Sequence, residues 1–275
     1  MRVQANGVSL HYKLDGAAGR PVVTLSHSLA TRLEMWEPQV AALTEHFQIL
    51  RYDMRGHGES EAPAGPYSME MLSDDVIGLW NALGIRRSHF VGLSIGGMIG
   101  QTLALNHSDR LAGLVLCSTT SGVPAQGRPM WDDRIRQVEE SGMEPQVDGM
   151  LQRWLLEEFR RSQPDVVDQI AGMIRATPVP GFIGCSRAIQ SFDVTERLGA
   201  IIAPTLLMPG EKDPGTLPAF SETIHRLVPE SRLAVVPDSA HLSNIEQPKF
   251  VAQAILDFLL MLETSEKPEK EIKIM

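Results

Sequence analysis

The stretch HFVGLSIGGMIGQ, residues 89–101, places a serine between an apolar run and a glycine-rich segment. Gly92-Leu93-Ser94-Ile95-Gly96 fits the pattern Gly-x-Ser-x-Gly, which is typical of a nucleophilic serine on a sharp strand-to-helix turn. Such a turn strains the serine backbone, and side chains two residues to either side would clash. The pattern therefore predicts that Ser94 is a nucleophile and that the Ile95 N–H, at a helix start, can face an oxyanion. A turn serine without a chemical role is the alternative.

Short apolar runs alternate with amphipathic segments of helical length on both sides of this stretch. In the first run apolar and polar residues alternate, as in a strand with one buried face. The continuous apolar runs suit parallel strands that are covered on both faces. This alternation predicts an α/β fold with right-handed crossovers. The runs are residues 8–14, 21–27, 47–53, 89–94, 111–119, 203–210 and 231–238.

Residues 121–197 interrupt the alternation, because they contain amphipathic helical segments and no convincing strand. We interpret them as a helical lid inserted between two strands, with a purely structural helical subdomain as the alternative. Residues 1–120 and 198–262 then form the core, and the charged residues 263–275 are predicted to be a frayed tail. Four prolines break the helical segments: Pro145, Pro164, Pro178 and Pro180.

Composition and charge exclude several classes of protein. The net charge of −9, with no basic cluster, argues against nucleic-acid binding. No apolar run reaches the ~18 residues of a membrane span, and no signal peptide begins the chain, so we expect a cytoplasmic protein with no membrane partner. Cys117 and Cys185 lack metal-binding spacing and are expected to be buried free thiols. The sequence leaves a homo-oligomer open.

A serine hydroxyl needs a base, and in this architecture an acidic residue and then a histidine follow the serine along the chain. His241, in PDSAHLSN, is the histidine that follows the last apolar run. The acid is expected in the loop EKDPGT after residues 203–210, which makes Asp213 the candidate. Asp238 and Glu211 are the alternatives.

A second oxyanion donor is expected in the loop HSLATRLEMW, which follows the run at residues 21–27. The Leu29 N–H is the candidate by position, and its side chain matters little because the backbone donates. A plain connecting loop is the alternative.

The chain resembles the α/β-hydrolase family over residues 5–262, and within it the 3-oxoadipate enol-lactonases are a close match. The resemblance rests on the segments LSHSLATRLEMWEPQVAAL, LRYDMRGHGESEAPAGPYSMEML, HFVGLSIGGMIGQ, DPGT and AHLSNIEQP. Two segments depart from that subfamily, HSLAT where NSLGT is more usual and EKDPGT where THDPAT is more usual. The resemblance implies a mostly parallel central sheet of about eight strands, flanked by helices, with a helical lid after the sixth strand.

The resemblance assigns Ser94, Asp213 and His241 as nucleophile, acid and base, and Leu29 and Ile95 as oxyanion amides. It implies hydrolysis of 3-oxoadipate enol-lactone to 3-oxoadipate in aromatic-compound degradation, without a metal or organic cofactor. A carboxylesterase, another lactonase, a perhydrolase, a C–C hydrolase and a ligand receptor that keeps the triad are the alternatives. Dehalogenases and epoxide hydrolases are excluded, because they need aspartate in place of the serine.

A lactone that carries a free carboxylate needs a cation in a protein of net charge −9. Arg32, in the oxyanion loop, and Arg134, in the lid, are predicted to bind the substrate, and Trp131 and Trp154 are predicted to line the inner face of the lid. Packing within the lid is the alternative for the tryptophans. Further candidate cations are Arg128, Arg153 and Arg187.

Overall fold

The computed structural model describes residues 1–265, and within them eight strands form one sheet. Each apolar run that predicted a strand overlaps one of these strands, so the α/β prediction is confirmed. The strands are β1 (Arg2–Ala5), β2 (Val8–Asp15), β3 (Val22–Ser26), β4 (Gln48–Tyr52), β5 (Ser88–Leu93), β6 (Leu111–Cys117), β7 (Thr205–Met208) and β8 (Arg232–Leu233).

The sheet has the order β1-β2-β4-β3-β5-β6-β7-β8. The pairs β1–β2 and β2–β4 are antiparallel, and all other neighbours are parallel. Parallel strands align their carboxyl ends at one edge, where open α/β sheets bind ligands. The segments that follow β3, β5, β7 and β8 start at this edge, and they carry the predicted oxyanion, nucleophile, acid and base residues.

Helices cover both faces of the sheet, and every residue of the central strand β5 is buried. On one side α1 (Glu37–Thr44) packs against α11 (Pro248–Ser265), and on the other α2 (Met69–Ala82) packs against α3 (Ile95–Asn106). Two further helices accompany the sheet, α9 (Pro218–Leu227) and α10 (Ser243–Glu246). Burial on both faces explains the continuous apolar runs of the parallel strands.

Between β6 and β7 the described chain is helical, as predicted. We call these the inserted helices: α4 (Arg128–Ser141), α5 (Val147–Trp154), α6 (Glu157–Ser162), α7 (Pro164–Ala176) and α8 (Val179–Ser191). Helix α4 packs against α8, and α5 packs against α7. Pro164 begins α7 and Pro178 precedes α8, because proline lacks an N–H and is tolerated at a helix start.

Three boundaries differ from the sequence expectation. The run at residues 231–238 forms only the two-residue strand β8 and one isolated bridge at Val236, because it lies at the sheet edge and continues into Pro237. A 3₁₀ helix, Thr195–Ala200, crosses the expected lid boundary. The predicted tail starts too early, because α11 continues to Ser265; its remainder, residues 266–275, lies outside the described residues.

Candidate active site

Ser94 lies between β5 and α3 with φ 59° and ψ −116°, a conformation that residues with a side chain rarely adopt. A Cβ atom at Gly92 would lie 2.1 Å from the Gly96 carbonyl oxygen, and one at Gly96 would lie 2.4 Å from the Ser26 carbonyl oxygen. The two glycines therefore allow the strand, the helix start and β3 to approach closely. The sharp turn predicted at Ser94 is present.

Hydrogen bonds hold the Ser94 backbone in this conformation. Its N–H donates to the Cys117 carbonyl at 3.0 Å, and the Thr119 hydroxyl donates to the Ser94 carbonyl at 2.8 Å. Ser94 is partly exposed although Leu93 and Ile95 on either side are buried. The turn thus lifts one hydroxyl out of a buried segment.

The structure brings Asp213 and His241 together from the loops after β7 and β8. The His241 Nδ1 and Asp213 Oδ2 atoms are 2.7 Å apart, and both residues are buried. An ionised carboxylate can only accept, so Nδ1 carries the proton in this pair. The Nε2 atom of the neutral ring is then an acceptor, as a general base requires.

Thr216 is a site residue that the sequence reasoning missed. Its hydroxyl donates to Asp213 Oδ2 at 2.5 Å and lies 3.1 Å from His241 Nδ1. The Gly215 and Thr216 N–H groups donate to Asp213 Oδ1 at 2.8 and 3.0 Å. The signal was present in DPGT, because an aspartate commonly accepts from the backbone two or three residues further on.

These contacts determine the charge of Asp213. Burial by itself would raise the pKa of Asp213, but the charge of His241 and the hydrogen bonds from His241 and Thr216 outweigh burial and lower this pKa below its usual value. The carboxylate is therefore ionised at neutral pH. An ionised carboxylate in this position can stabilise a protonated imidazole.

Trp154, in α5, connects the inserted helices to His241. Its ring stacks on the imidazole with the centroids 6.2 Å apart and 24° between the planes. The Leu242 N–H donates to the Trp154 carbonyl at 3.0 Å. The candidate base therefore packs against the inserted helices as well as against the core.

Glu246, in α10, makes a second connection that the sequence did not indicate. Its carboxylate accepts the Leu156 N–H at 2.7 Å and the Ala240 N–H at 2.5 Å. Leu156 follows α5 and Ala240 precedes His241, so one buried carboxylate holds both segments. The two accepted hydrogen bonds offset only in part the burial that raises the pKa of Glu246.

The two predicted oxyanion amides lie beside the serine. Leu29 and Ser94 line the same cavity, and Ile95 follows Ser94 as the first residue of α3. Neither N–H donates to an acceptor within residues 1–265. Both amides are thus available to a substrate oxygen, as the prediction requires.

Two buried histidines, His27 and His57, hold the loop that carries Leu29, and the sequence reasoning did not assign them this position. The His57 Nε2 atom accepts the Ala30 N–H at 3.0 Å, and the His27 Nε2 atom accepts the Met54 N–H at 3.0 Å. The oxyanion loop and the turn after β4 therefore each contribute one imidazole to the other. Neither histidine could have been assigned from chain order, because both precede Ser94.

Both of these imidazoles must be neutral, since a protonated ring has no acceptor nitrogen. Burial lowers the pKa of His27 to about 4. Burial and the nearby His27 lower the pKa of His57 to about 3. The oxyanion loop is therefore held by groups that stay uncharged at neutral pH.

One cavity of about 260 Å³ joins these groups. Ser94, Leu29, Asp213 and His241 line it from the core. Seven residues of the inserted helices also line it, and four of them were candidates from the sequence: Trp131, Arg134, Arg153 and Trp154.

Arg32 does not line this cavity, so the structure does not support its predicted contact with substrate. Its guanidinium pairs with Glu34 at 3.1 Å. The two alternative candidates for the acid, Asp238 and Glu211, do not line the cavity either. Asp238 pairs with Lys212 at 2.6 Å, and Glu211 accepts the Asp238 N–H at 3.0 Å.

Within residues 1–265, no helix is both long and apolar enough to cross a membrane. In the same part of the chain, no cluster of three or more His, Cys, Asp or Glu residues could hold a metal ion. Cys117 and Cys185 are buried free thiols, as predicted.

The sheet is mostly parallel, and a serine on a strand-to-helix turn shares a cavity with a histidine–aspartate pair. These features are typical of one class of hydrolases. The pattern of the alpha/beta hydrolase fold family matches residues 21–248. The chain belongs to the α/β-hydrolase family.

Curated and solved relatives agree with this membership. The chain is 33% identical over 252 residues to 3-oxoadipate enol-lactonase 2 of Acinetobacter baylyi, covering 91% of this chain and 93% of the relative. It is 37% identical to the solved enol-lactonase from Burkholderia xenovorans, with a TM-score of 0.92 and coverage of 94% and 100%. It is 31% identical to a solved thermophilic esterase from Thermogutta terrifontis, with a TM-score of 0.90 and coverage of 95% and 99%.

Proposed function

We propose that the chain hydrolyses carboxylic esters or lactones through an acyl-enzyme formed on Ser94. One observation carries the proposal: Ser94 shares a cavity with His241, whose Nδ1 atom is bound by Asp213 at 2.7 Å. A serine beside an oriented imidazole is an activated nucleophile.

In the first step, His241 Nε2 takes the Ser94 proton as the hydroxyl oxygen attacks the substrate carbonyl. The carbonyl oxygen becomes negative and receives the Leu29 and Ile95 N–H groups. Asp213 stabilises the imidazolium that forms. Loss of one oxyanion donor in such a site costs about 10²–10³ in kcat.

In the second step, the C–O bond to the leaving group breaks. From an enol-lactone the ring oxygen leaves as an enolate, which takes the proton that His241 received from Ser94 and becomes a ketone, so that His241 is neutral again. Water then attacks the acyl-enzyme while His241 takes its proton, and Ser94 leaves with a proton returned by His241. No cofactor enters either step.

For the substrate, we propose 3-oxoadipate enol-lactone, with 3-oxoadipate as product. The enol-lactonases of Acinetobacter baylyi and Burkholderia xenovorans, each similar over more than nine-tenths of this chain, support this choice. The Thermogutta terrifontis esterase was solved with malate bound, and malate is a dicarboxylate. That observation supports an acidic substrate.

The first test is the initial rate of 3-oxoadipate enol-lactone hydrolysis, followed by loss of ultraviolet absorbance. We expect kcat/KM above ~10⁴ M⁻¹s⁻¹, within the usual range for enzymes. Ser94→Ala should reduce the rate to the spontaneous one. Ser162→Ala is the matched control, because Ser162 is an exposed residue of α6.

A wild-type rate equal to that of Ser94→Ala would contradict the enol-lactonase proposal. Activity on simple aryl esters that Ser94→Ala abolishes would then support the second candidate, a general carboxylesterase. The similarity to the Thermogutta terrifontis esterase favours that candidate. The ratio of kcat/KM on the lactone to kcat/KM on 4-nitrophenyl butyrate separates the two.

A further inference from the structure

Among the described residues, two arginines line the cavity that contains Ser94, and neither has an acidic partner. Arg134 comes from α4 and Arg153 from α5. Arg134 lies over the Trp131 ring, 5.0 Å from its centroid. Within residues 1–265, no carboxylate pairs with either guanidinium, and neither forms a hydrogen bond to another residue.

This arrangement is unfavourable for the chain alone. Burial, and then the nearby charge of Arg153, lower the pKa of Arg134 to about 10, and burial also lowers the pKa of Arg153. Both groups remain protonated at neutral pH. A charge that is partly removed from water and unpaired costs stability, and a second like charge nearby adds to that cost. Such a cost is expected where a ligand supplies the missing partner.

The rest of the cavity offers no compensating charge. Asp213 is the one carboxylate among the described lining residues, and its oxygens already accept from His241, Gly215 and Thr216. The cavity is therefore cationic, whereas the whole chain has a net charge of −9.

Of the six other arginines of the inserted helices, four have an acidic partner within residues 1–265, whereas the exposed Arg128 and the partly exposed Arg160 have none. Arg187 pairs with Asp132 at 2.5 Å, and Arg175 pairs with Glu144 at 2.9 Å. Among the unpaired arginines of the inserted helices, Arg134 and Arg153 are the two that line the cavity, within the described residues. Arg187, a further candidate cation from the sequence, does not line the cavity and pairs with Asp132.

We propose that Arg134 and Arg153 together bind a carboxylate of the substrate, so that the enzyme selects esters and lactones that carry a second, free carboxylate. This inference deepens the proposed function and rests on it. A guanidinium presents a planar set of donors that matches a carboxylate, and it is more weakly hydrated than an ammonium group. Holding the acidic end of the substrate orients the other end, with its reactive carbonyl, toward Ser94.

Binding to a catalytically inactive protein tests the site without turnover. The probe is adipate, measured by calorimetry with Ser94→Ala and with the same protein carrying Arg134→Met or Arg153→Met. Methionine keeps an apolar side chain and removes the charge. We expect each change to weaken adipate binding about 10- to 100-fold, the effect of losing one hydrogen-bonded charged partner. Arg134→Lys should recover part of the loss, because it restores the charge without the planar donors.

The matched controls are Arg187→Met, which should leave adipate affinity within about twofold, and dimethyl adipate, which should bind no more tightly to Ser94→Ala than to the arginine variants. Circular dichroism and thermal unfolding verify the fold of each variant. Equal adipate affinity in all folded variants, or no adipate binding to Ser94→Ala, would overturn the proposal.

A kinetic comparison separates this inference from the proposed lactonase function. The substrates are the mono-4-nitrophenyl ester of adipate, which has a free carboxylate, and 4-nitrophenyl hexanoate, which lacks one. We expect the arginine variants to raise KM for the acidic ester about 10- to 100-fold more than they raise KM for the neutral ester. If the lactone is not a substrate while this selectivity holds, the lactonase assignment is wrong and the carboxylate site stands. If the lactone is hydrolysed and the arginine variants lose no selectivity, the carboxylate site is wrong.

Discussion

Ser94 holds a positive φ, and a residue with a side chain in such a conformation costs on the order of 1–3 kcal/mol. The surrounding residues maintain it: two glycines remove the clashes, and hydrogen bonds from Thr119 and to Cys117 hold the peptide groups. The strain exposes one hydroxyl at the carboxyl edge of an otherwise buried strand. A nucleophile at this position needs no movement of the backbone to reach a substrate.

At the same scale, a substitution of Thr216 tests whether its hydroxyl helps to orient the Asp213–His241 pair. Thr216→Val keeps the shape and removes the hydroxyl that donates to Asp213 Oδ2 at 2.5 Å. We expect kcat to fall about tenfold with KM unchanged, because one charge-assisted hydrogen bond is worth roughly 1.5 kcal/mol. Steady-state kinetics on the enol-lactone measures the effect.

Thr223→Val is the control for this change, because the Thr223 hydroxyl donates to the Ala219 carbonyl on the exposed side of α9. Equal kcat values for Thr216→Val and wild type would mean that the hydroxyl does not support the Asp213–His241 pair. A rise in KM alone would assign Thr216 to substrate contact instead.

At the scale of elements, α10 joins the inserted helices to the loop that carries His241. The joint consists of the Glu246 carboxylate and the stacked ring of Trp154. Removal of an acceptor from a buried N–H costs about 1–3 kcal/mol for each group left unpaired. We therefore expect the joint to contribute to stability and to the position of His241.

Glu246→Gln tests this joint. The glutamine amide has one acceptor oxygen, so the Leu156 and Ala240 N–H groups can no longer both be satisfied. We expect the melting temperature to fall by roughly 2–4 °C for each kcal/mol lost, and kcat to fall with it. Differential scanning calorimetry and steady-state kinetics measure the two effects.

Glu222→Gln, at an exposed position of α9, is the control for the same chemical change. An unchanged melting temperature in Glu246→Gln would show that the carboxylate does not hold the two segments together. A lower melting temperature with normal kcat would limit its role to stability.

At the scale of the whole molecule, the buried histidines make stability depend on pH. His27 and His57 have folded pKa values of about 4 and about 3, below the ordinary value of 6.5. Between pH 6.5 and the folded pKa of each histidine, the unfolded chain binds a proton that the folded chain does not. The stabilisation is therefore complete above pH 6.5 and is lost as the pH falls toward 4 and 3.

We expect the free energy of unfolding to fall by roughly 2 kcal/mol per histidine between pH 6.5 and 5, since one proton is worth about 1.4 kcal/mol per pH unit. His57→Gln keeps an acceptor for the Ala30 N–H and removes one titrating group, so it should reduce this slope. Urea unfolding at several pH values measures it. The exposed His46→Gln is the control, and an equal slope in His57→Gln and wild type would contradict the account.

Much of the fold could be predicted because its signals are local. The apolar runs located the strands, and Ser68, a residue type common just before a helix, accepts the Met71 N–H at 3.1 Å at the start of α2. The local nature of these signals also caused the error at residues 231–238, where the apolar run is longer than the strand β8. Pairing depends on a neighbouring strand, which the run itself does not specify.

Part of the site could be predicted for the same reason. The position of Ser94 follows from glycines two residues away, and the candidates Asp213 and His241 follow from their order along the chain. The prediction for Arg32 is not supported, since Arg32 pairs with Glu34 and does not line the cavity, and neither fact can be read from the local sequence. His27, His57 and Glu246 were missed because their partners lie in other segments.

The sequence by itself determined the alternation of strands and helices, the sharp turn at Ser94 and the choice of Asp213 and His241, because each depends on neighbouring residues or on chain order. Only the tertiary structure decided which buried groups are satisfied and which are not. Glu246 accepts from an amide 90 positions away, while Arg134 and Arg153 reach one cavity without an acidic partner among the described residues. Burial and pairing are properties of three-dimensional proximity, and the linear pattern does not contain them.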